Sequence, residues 1–300
     1  MDFEFTVVAH RGKQVGFGEL PDKSIALDGY VQGPQIDSER QRYSFDHHAD
    51  CIRHVTSATC QQVFDALMLG LDPSGFTVFI NDVDGDVVLS VWLLAQAEQL
   101  KEVSFREKVR QLVEVVGKID AFGSSYPISD PDLSLAFFGG AIGFTLHAHK
   151  DSDQADDLLV ALMHCLPRID EVVSGQLRSG IGVIEEGLQI HATGTGGWVM
   201  ASGGGTNQLY RRGITRAVAF KELPDGTYYY TVVKKSDFVP NFPVGPGDEP
   251  GTILHALAVR ESGWGGSTTI GGSPKHADRS GSRLKPAEVF EIVESVIKGG

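Results

Sequence analysis

The sequence predicts an α/β fold, with a parallel-sheet N-terminal domain followed by a smaller mixed α+β domain. Three observations lead to this prediction. Short β-forming runs alternate with helical patterns in the first half of the chain, an order typical of parallel sheets. From about Leu188 the pattern changes to closely spaced strands separated by turn residues. The 300 residues, 41% of them hydrophobic, are enough for two modest domains with hydrophobic cores.

The first domain is predicted over residues 1–170 and includes a helical connector. Residues 3–9, 24–27, 42–45 and 76–80 are rich in β-formers and are predicted strands. A helix is predicted after the possible N-caps Thr56 and Ser57, with apolar residues at helical spacing up to Gly70. Further helices are predicted over 87–100, 105–116, 156–165 and 168–187.

The second domain is predicted over residues 188–300. Strands are expected near 190 and over 198–200, 217–220, 228–233 and 254–260. Pro224, Asp225 and Gly226 predict a tight turn joining the third and fourth of these strands as a hairpin. An amphipathic helix is predicted over 286–297.

The net charge of −13 is unevenly distributed. Residues 1–200 contain 14 Lys and Arg against 29 Asp and Glu, a net −15, whereas residues 201–300 contain 12 against 10, a net +2. An acidic body argues against duplex nucleic acid, which needs many cations to neutralise its phosphates. It is compatible with a small anionic substrate held by a metal and a few arginines, although much of the acidic excess could serve solubility alone.

Composition also predicts a cytoplasmic protein without a membrane segment. No stretch approaches the ~18 apolar residues that a membrane helix needs, and the N-terminus lacks the basic start of a signal peptide. The three cysteines, Cys51, Cys60 and Cys165, show no metal-ligand spacing, and reduced thiols are the simplest interpretation. The sequence leaves the oligomeric state open, a homodimer included.

Acidic and histidine residues follow several predicted strands. Asp46, His47 and His48 end the strand at 42–45, and Asp28 ends the strand at 24–27. Carboxyl ends of parallel strands meet at one edge of a sheet, where ligands bind. Carboxylates and imidazoles suit Mn, Mg, Zn or Fe. Adjacent residues of a strand point to opposite sides, so one histidine is expected to bind metal while the other turns toward substrate or toward a residue that supports a ligand. The alternative is a surface triplet without a role.

The remaining candidate ligands are less specific. Asp82, Asp84 and Asp86 follow the strand at 76–80, and Asp84 is the expected ligand, with the other two solvated or supporting. Their alternation suggests a calcium loop, but the closing Glu of such a loop is missing. His10 is either an extra ligand or a capping or surface histidine. His147 and His149 could be ligands, although a structural role is favoured.

A glycine-rich loop at residues 263–276 is the candidate substrate site. Glycines allow the backbone to approach an anion and to point N–H groups at it. Arginine suits bidentate phosphate contact, and the alternative is an ordinary surface loop. The predicted substrate-binding residues are Gly271, Gly272, Ser273, His276, Arg279 and Arg283, with Lys275 as a further cation.

Residues 25–90 resemble the DHH phosphoesterase superfamily, with the closest similarity to the branch of MYG1-type exonucleases. The similarity is carried by Leu27-Asp28-Gly29 and by the run 36–48 that ends in Asp46-His47-His48. It places Asp28 at the family's second motif, the triplet at its third and Asp84 at its fourth. The first motif, His-x-x-x-Asp-x-Asp, is missing around His10.

The resemblance implies two domains with the active site in the cleft between them. It also implies Mn²⁺ or Mg²⁺, one or two ions, held by Asp28, Asp46, His47, Asp84 and His10. Water would be activated there for attack on a phosphoanhydride or phosphodiester, with His48 or Asp46 orienting it and the C-terminal loop contacting the anion. The expected function is therefore a metal-dependent phosphohydrolase acting on a small phosphorylated or short oligonucleotide substrate. The alternative, favoured by the missing first motif, is a degenerate member that binds a nucleotide or metal without hydrolysis.

Overall fold

The computed structural model describes residues 3–128, 130–143, 155–177, 187–276 and 280–299. Two compact units, Met1–Gly182 and Val183–Gly300, divide the chain. Each unit contains one mixed β-sheet, and the described ranges contain eight α-helices in all. The predicted α/β class is confirmed. Within these ranges, no helix combines the length and the apolar character needed to cross a membrane.

A five-stranded sheet forms the centre of the first unit. Its strands are β1 (Thr6–Ala9), β2 (Ser24–Leu27), β3 (Gln35–Asp37), β4 (Arg42–Phe45) and β5 (Thr77–Ile80). The order is β1-β5-β2-β4-β3, and the first four are parallel to their neighbours. Strand β3 runs antiparallel to β4, so the prediction of a purely parallel sheet is wrong at this edge. Only four residues join β3 to β4, too few for a parallel crossover.

Five helices belong to the described part of the first unit. They are α1 (Thr59–Met68), α2 (Gly85–Ala95), α3 (Val103–Phe122), α4 (Pro131–Leu135) and α5 (Ala155–Val173), with a π-helical turn over Ala136–Ile142 after α4. Helix α1 packs against α2 and α3, and α2 also packs against α5. The residues of α2 are almost all apolar, and the helix is accordingly buried from Gly85 to Leu94.

The break predicted between residues 165 and 168 is wrong, because α5 continues through Pro167. Leu162, Cys165, Leu166 and Ile169 are all buried, and their spacing keeps one helical face in the core on both sides of the proline. That packing offsets the backbone hydrogen bond that proline cannot donate. Residues 178–186 of the second predicted helix lie outside the described residues.

The second unit is built on a six-stranded sheet. Its strands are β6 (Gln189–Thr193), β7 (Val199–Ser202), β8 (Arg216–Glu222), β9 (Tyr228–Lys234), β10 (Gly265–Gly266) and β11 (Ile270–Gly272). The order is β10-β11-β9-β8-β7-β6, with β7 and β8 parallel and the other neighbouring pairs antiparallel. The predicted hairpin turn at 224–226 is confirmed between β8 and β9.

The helices of the second unit are α6 (Thr206–Arg211), α7 (Ile253–Arg260) and α8 (Pro286–Gly299). The strand predicted over 254–260 is wrong, since this segment is α7. Thr252 caps that helix by accepting a hydrogen bond from the N–H of His255 at 3.3 Å. Leu254 and Leu257 are three residues apart, as on one helical face, and both are fully buried. The helix prediction for 286–297 is confirmed as α8.

Candidate metal centre

The candidate site lies at the carboxyl edge of the first sheet. Asp28 follows β2, the Asp46-His47-His48 triplet follows β4, and Asp86 lies in the first turn of α2 after β5. Because β2, β4 and β5 are parallel neighbours, their carboxyl ends are adjacent. The side chains that meet there, called the acidic centre below, are Asp28, His47, His48, Asp86 and Asp120.

His47 is at the middle of the acidic centre and is completely buried. Its Nε2 atom is 2.7 Å from Oδ2 of Asp120. The same atom is 3.7 Å from Oδ1 of Asp28 and 3.7 Å from Oδ2 of Asp86. Three carboxylates from three different elements therefore face one imidazole nitrogen.

Among the residues that the structure describes, neither ring nitrogen of His47 has a hydrogen-bond partner, and neither has Oδ2 of Asp120. The 2.7 Å approach between Nε2 and this oxygen lacks the alignment of a hydrogen bond. Buried polar groups almost always have a hydrogen-bond partner, because a buried group without one loses its hydrogen bonds to water and gains none in the protein. Carboxylate oxygens that converge on one imidazole nitrogen are a ligand set that suits a divalent cation.

Asp86 is held in place by the first turn of α1. Its two oxygens accept hydrogen bonds from the N–H groups of Thr59, at 2.7 Å, and Cys60, at 2.8 Å. The residue before α1 is Ala58, which has no side-chain oxygen to accept hydrogen bonds from the unpaired N–H groups of that turn. The carboxylate of Asp86, in α2, is the acceptor instead. Burial raises the pKa of Asp86 well above its usual range, and nearby carboxylates raise it further.

Asp28 has a left-handed backbone, with φ +48°, which aspartate tolerates better than most residues. Its Oδ1 atom accepts a hydrogen bond from the hydroxyl of Thr59 at 3.0 Å and lies 3.1 Å from Nδ1 of His48. The same oxygen faces His47. Asp28 therefore connects the two histidines of the triplet.

Asp46 is buried, and its carboxylate accepts several hydrogen bonds. The donors are the N–H groups of Gly33, His48 and Ala49, and Nδ1 of His48 lies 3.2 Å away. Burial alone would raise the pKa of Asp46, but these hydrogen bonds outweigh it and lower the pKa to about 2. Asp46 lies outside both groups of possible ligands. Its geometry is that of a residue that positions His48.

His48 is the solvent-facing histidine of the pair, with 40% of its side chain exposed. Its Nδ1 atom faces the carboxylates of Asp28 and Asp46, and those two contacts raise its pKa to about 10. Since Nδ1 is held, Nε2 is the nitrogen left for another contact. The two histidines differ in burial, but both face Oδ1 of Asp28 and their ring centroids are 4.5 Å apart, so the predicted separation to opposite sides is wrong.

The two other predicted ligands also lie outside those groups. Asp84 caps α2, accepting a hydrogen bond from the N–H of Val87 at 2.9 Å. Its pKa is raised to about 7, first by burial and then by the charge of Asp28. His10 has its Nδ1 atom 3.0 Å from the hydroxyl of Tyr30. The structure thus brings Asp86, rather than Asp84, to His47.

Asp120 is the ligand candidate that the sequence analysis missed. It lies near the end of α3, far in sequence from every strand end. The pattern does contain a signal, because Val109, Val113, Val116 and Asp120 are spaced as one helical face, and the three valines are buried. A carboxylate on the buried stripe of an amphipathic helix needs a partner.

The glycine-rich loop is a packed hairpin made by β10 and β11. A Cβ atom at Gly271 would lie 2.2 Å from Cδ1 of Leu254 in α7, so glycine is needed there for packing. Ser273 is buried and pairs with Tyr230 of β9, its hydroxyl accepting the tyrosine N–H at 3.1 Å. Gly272 is the last residue of β11.

The predicted cationic residues that the structure describes are on the surface. The side chains of Lys275, His276 and Arg283 are exposed, and the backbone N–H of Arg283 donates a hydrogen bond to Glu261 at 2.8 Å. Arg279, His147 and His149 lie outside the described residues. For Gly271 and Ser273 the contacts give a structural reason for the residue, and substrate contact by the loop stays a prediction.

No protein-family model matches the chain, and none of the curated proteins compared with it gives a match. The geometry of the acidic centre is therefore the main support for a function.

Proposed function

We propose that the chain is a metal-dependent phosphohydrolase of the DHH type, acting on a small phosphorylated or short oligonucleotide substrate. The observation that carries the proposal is the buried His47 ring, which faces three carboxylates and has no hydrogen-bond partner in the described part of the chain. An isolated acidic cluster would be weak support. A fully buried imidazole that faces three carboxylates, without a hydrogen-bond partner among the described residues, supports a cation at this position.

The residues present fit a hard divalent cation, and we propose Mn²⁺ or Mg²⁺. Two groups share His47, one with Asp28 and His48 and the other with Asp86 and Asp120. All three carboxylates face Nε2 of His47, and one nitrogen lone pair binds one ion, so His47 would hold one ion through Nε2 and a second ion would be held by the other side chains of the two groups. Oxygen-rich sets with imidazole suit Mn²⁺, whereas Mg²⁺ prefers carboxylates and water.

The resemblance assigns its fourth-motif aspartate to Asp84, whereas the residue that faces His47 after β5 is Asp86. Both residues follow β5, and β5 lies beside β2 in the sheet. A carboxylate that follows β5 is therefore available at the same sheet edge as Asp28 and the triplet, as the proposal requires.

A bound divalent ion would supply Lewis acidity, lowering the pKa of water and neutralising phosphate charge. The chain's own residues would do the rest. The three carboxylates and His47 would bind the ion, with Asp86 held rigid by the start of α1. Asp28 and Asp46 orient His48 through Nδ1, so its Nε2 would meet a phosphate or leaving-group oxygen.

The test combines metal binding with turnover. Apo protein is titrated with Mn²⁺ by calorimetry, and hydrolysis of bis(p-nitrophenyl) phosphate and of a dinucleotide is measured with the loaded protein. His47→Ala should weaken Mn²⁺ binding by more than the ~10–100-fold typical of residues that only support a ligand. The matched control is His191→Ala, which removes a histidine of the second unit.

Each outcome decides between the alternatives. Mn²⁺ binding with turnover, both lost in His47→Ala and kept in His191→Ala, supports the phosphohydrolase. Binding without turnover of either substrate would favour the degenerate, non-hydrolytic alternative. Wild-type Mn²⁺ affinity in a correctly folded His47→Ala variant would overturn the metal centre itself.

A further inference from the structure

A short loop leads from the triplet to α1 and borders the acidic centre. It begins where the N–H of Ala49 donates to Asp46 at 3.4 Å. It is closed by hydrogen bonds from the N–H groups of Val55 and Thr56 to the carbonyl of Ile52, at 2.9 and 3.0 Å. The backbone of this loop therefore forms a hydrogen-bonded turn close in sequence to the candidate ligands.

Arg53 of this loop reaches across to α3. Its Nη2 atom donates a hydrogen bond to the backbone carbonyl of Asp120 at 3.2 Å. The carboxylate of that residue belongs to the acidic centre. The positive charge of Arg53 also acts on His48, opposing the rise in its pKa. The contact with the carbonyl uses one of the five N–H donors of a guanidinium, and the arginine is exposed.

Aromatic rings continue from this arginine along the end of α3. The ring of His54 is 6.2 Å from that of Phe122, two residues beyond Asp120. The ring of Phe122 stacks on that of Tyr126 at 5.6 Å, with 21° between their planes. The ammonium group of Lys118 lies 5.5 and 5.2 Å from these last two rings. Tyr126 is 37% exposed and Phe122 is only partly buried.

An arginine beside a run of partly exposed rings suits one class of ligand. The guanidinium binds phosphate oxygens in a fork, and aromatic faces stack on nucleobases of any sequence. Rings that belonged to the hydrophobic core would be fully buried, as Trp92 of α2 is. We propose that Arg53 contacts the phosphate of a nucleotide while His54, Phe122 and Tyr126 form the surface on which its base stacks.

This inference rests on the proposed function, which places a phosphate at the acidic centre. It narrows the proposed substrate to phosphates that carry a nucleobase. It predicts that a bare sugar phosphate or pyrophosphate binds more weakly than a nucleotide. Lys118 would then contribute a second positive charge beside the stacked base. All of these residues belong to the first unit.

The experiment compares AMP with ribose 5-phosphate, which has the same phosphate and no base. Binding of each to Mn²⁺-loaded protein is measured by calorimetry. Wild type should bind AMP at least ~10-fold more tightly, because stacking on aromatic residues contributes about that much per base. Tyr126→Ala and His54→Ala should reduce this preference, and neither removes a core side chain.

Arg53→Ala should weaken both ligands by a similar factor, ~10-fold or more, since a charge-assisted hydrogen bond to phosphate is lost from each. Arg53→Lys should recover part of the loss, because it keeps the charge but not the fork. The matched control is Arg110→Ala, an exposed arginine of α3 paired with Glu107 at 3.5 Å. It should bind both ligands like wild type.

Turnover of a dinucleotide, measured in parallel, separates the two proposals. An AMP preference that depends on Tyr126 and Arg53 supports the inference even where nothing is hydrolysed, and then only the phosphohydrolase proposal fails. Equal affinity for AMP and ribose 5-phosphate, or no measurable binding of either, would overturn the inference while any observed turnover still stood. An Arg53→Ala variant indistinguishable from Arg110→Ala would overturn the role of Arg53.

Discussion

The acidic centre of the first unit and a carboxylate network in the second unit differ in one decisive respect. In the second unit, Glu261 accepts hydrogen bonds from the indole N–H of Trp264, the hydroxyl of Ser282 and the N–H of Arg283. This Glu261 network has donors that match its acceptors. In the acidic centre, His47 and Asp120 have buried atoms that find no hydrogen-bond partner among the described residues.

The difference teaches how to separate structural from functional polar clusters. A satisfied network stabilises the chain in which it occurs and needs nothing else. An unsatisfied one costs stability until something binds, and such sites persist in proteins because they serve binding. The following predictions test this contrast.

The largest effect is expected when a metal fills the acidic centre. A ligand that binds only the folded state, present at 100 times its Kd, adds about 2.7 kcal/mol to the free energy of unfolding. Mn²⁺ should therefore raise the unfolding free energy of wild type, and EDTA should reverse the change. Chemical denaturation with and without Mn²⁺ measures it. The same stabilisation in His47→Ala would mean that the ion binds outside the acidic centre, and the contrast with the Glu261 network would then be wrong.

Removal of the acceptor from the Glu261 network should destabilise the fold without touching metal binding. Glu261→Ala leaves three donors, on Trp264, Ser282 and Arg283, without their acceptor, at a cost of ~1–3 kcal/mol or more. Glu261→Gln, which keeps one acceptor oxygen, should lose less. Urea unfolding and a Mn²⁺ titration are run on both variants. A loss of Mn²⁺ affinity would mean that this network is not purely structural.

Gly271→Ala tests whether the glycine-rich hairpin exists for packing or for a ligand. The new Cβ would meet Leu254, and overpacking of this kind costs roughly 1–3 kcal/mol. At Gly272 the nearest atom to a Cβ is the carbonyl oxygen of Tyr230 at 3.3 Å, so Gly272→Ala should cost less. Thermal unfolding of the two variants gives the comparison. Unchanged stability of Gly271→Ala with weakened substrate binding would restore the ligand role predicted from sequence.

The smallest effect, and the most diagnostic, is expected from Asp120→Asn. This change removes a negative charge from a crowded acidic group, so the metal-free protein should become more stable, by about 1 kcal/mol or less. Mn²⁺ affinity should fall at the same time. Asp65→Asn, on an exposed position of α1, is the control for the charge change and should alter neither property. A destabilised Asp120→Asn protein would mean that this carboxylate has a structural partner.

Several parts of the fold and of the site are predictable from local sequence. The strands that end at Leu27 and Phe45 follow from their β-forming residues, and the positions of Asp28 and the triplet follow from those strands. The hairpin at 224–226 follows from its turn residues. Each of these features depends on neighbours within a few residues, which is why the pattern alone predicts them.

Other features depend on contacts between distant residues. The segment after Thr252 is apolar enough for a strand, and only its packing across the second sheet, together with its cap, makes it α7. Asp84 and Asp86 look equivalent in sequence. They differ because the N–H groups at the start of α1, some 26 residues earlier, hold Asp86 toward His47, while Asp84 caps its own helix.

The sequence by itself therefore determined which residue types reach the edge of the first sheet, because strand ends and helix starts are local properties of the chain. The tertiary structure decided which carboxylates face His47 and which are satisfied elsewhere. Asp120 and Asp46 show this most clearly: Oδ2 of Asp120, on a distant helix, has no hydrogen-bond partner among the described residues, whereas Asp46 is hydrogen-bonded beside the histidine it precedes. Hydrogen-bond satisfaction is a property of the packed chain, since the donors that decide it arrive from other elements.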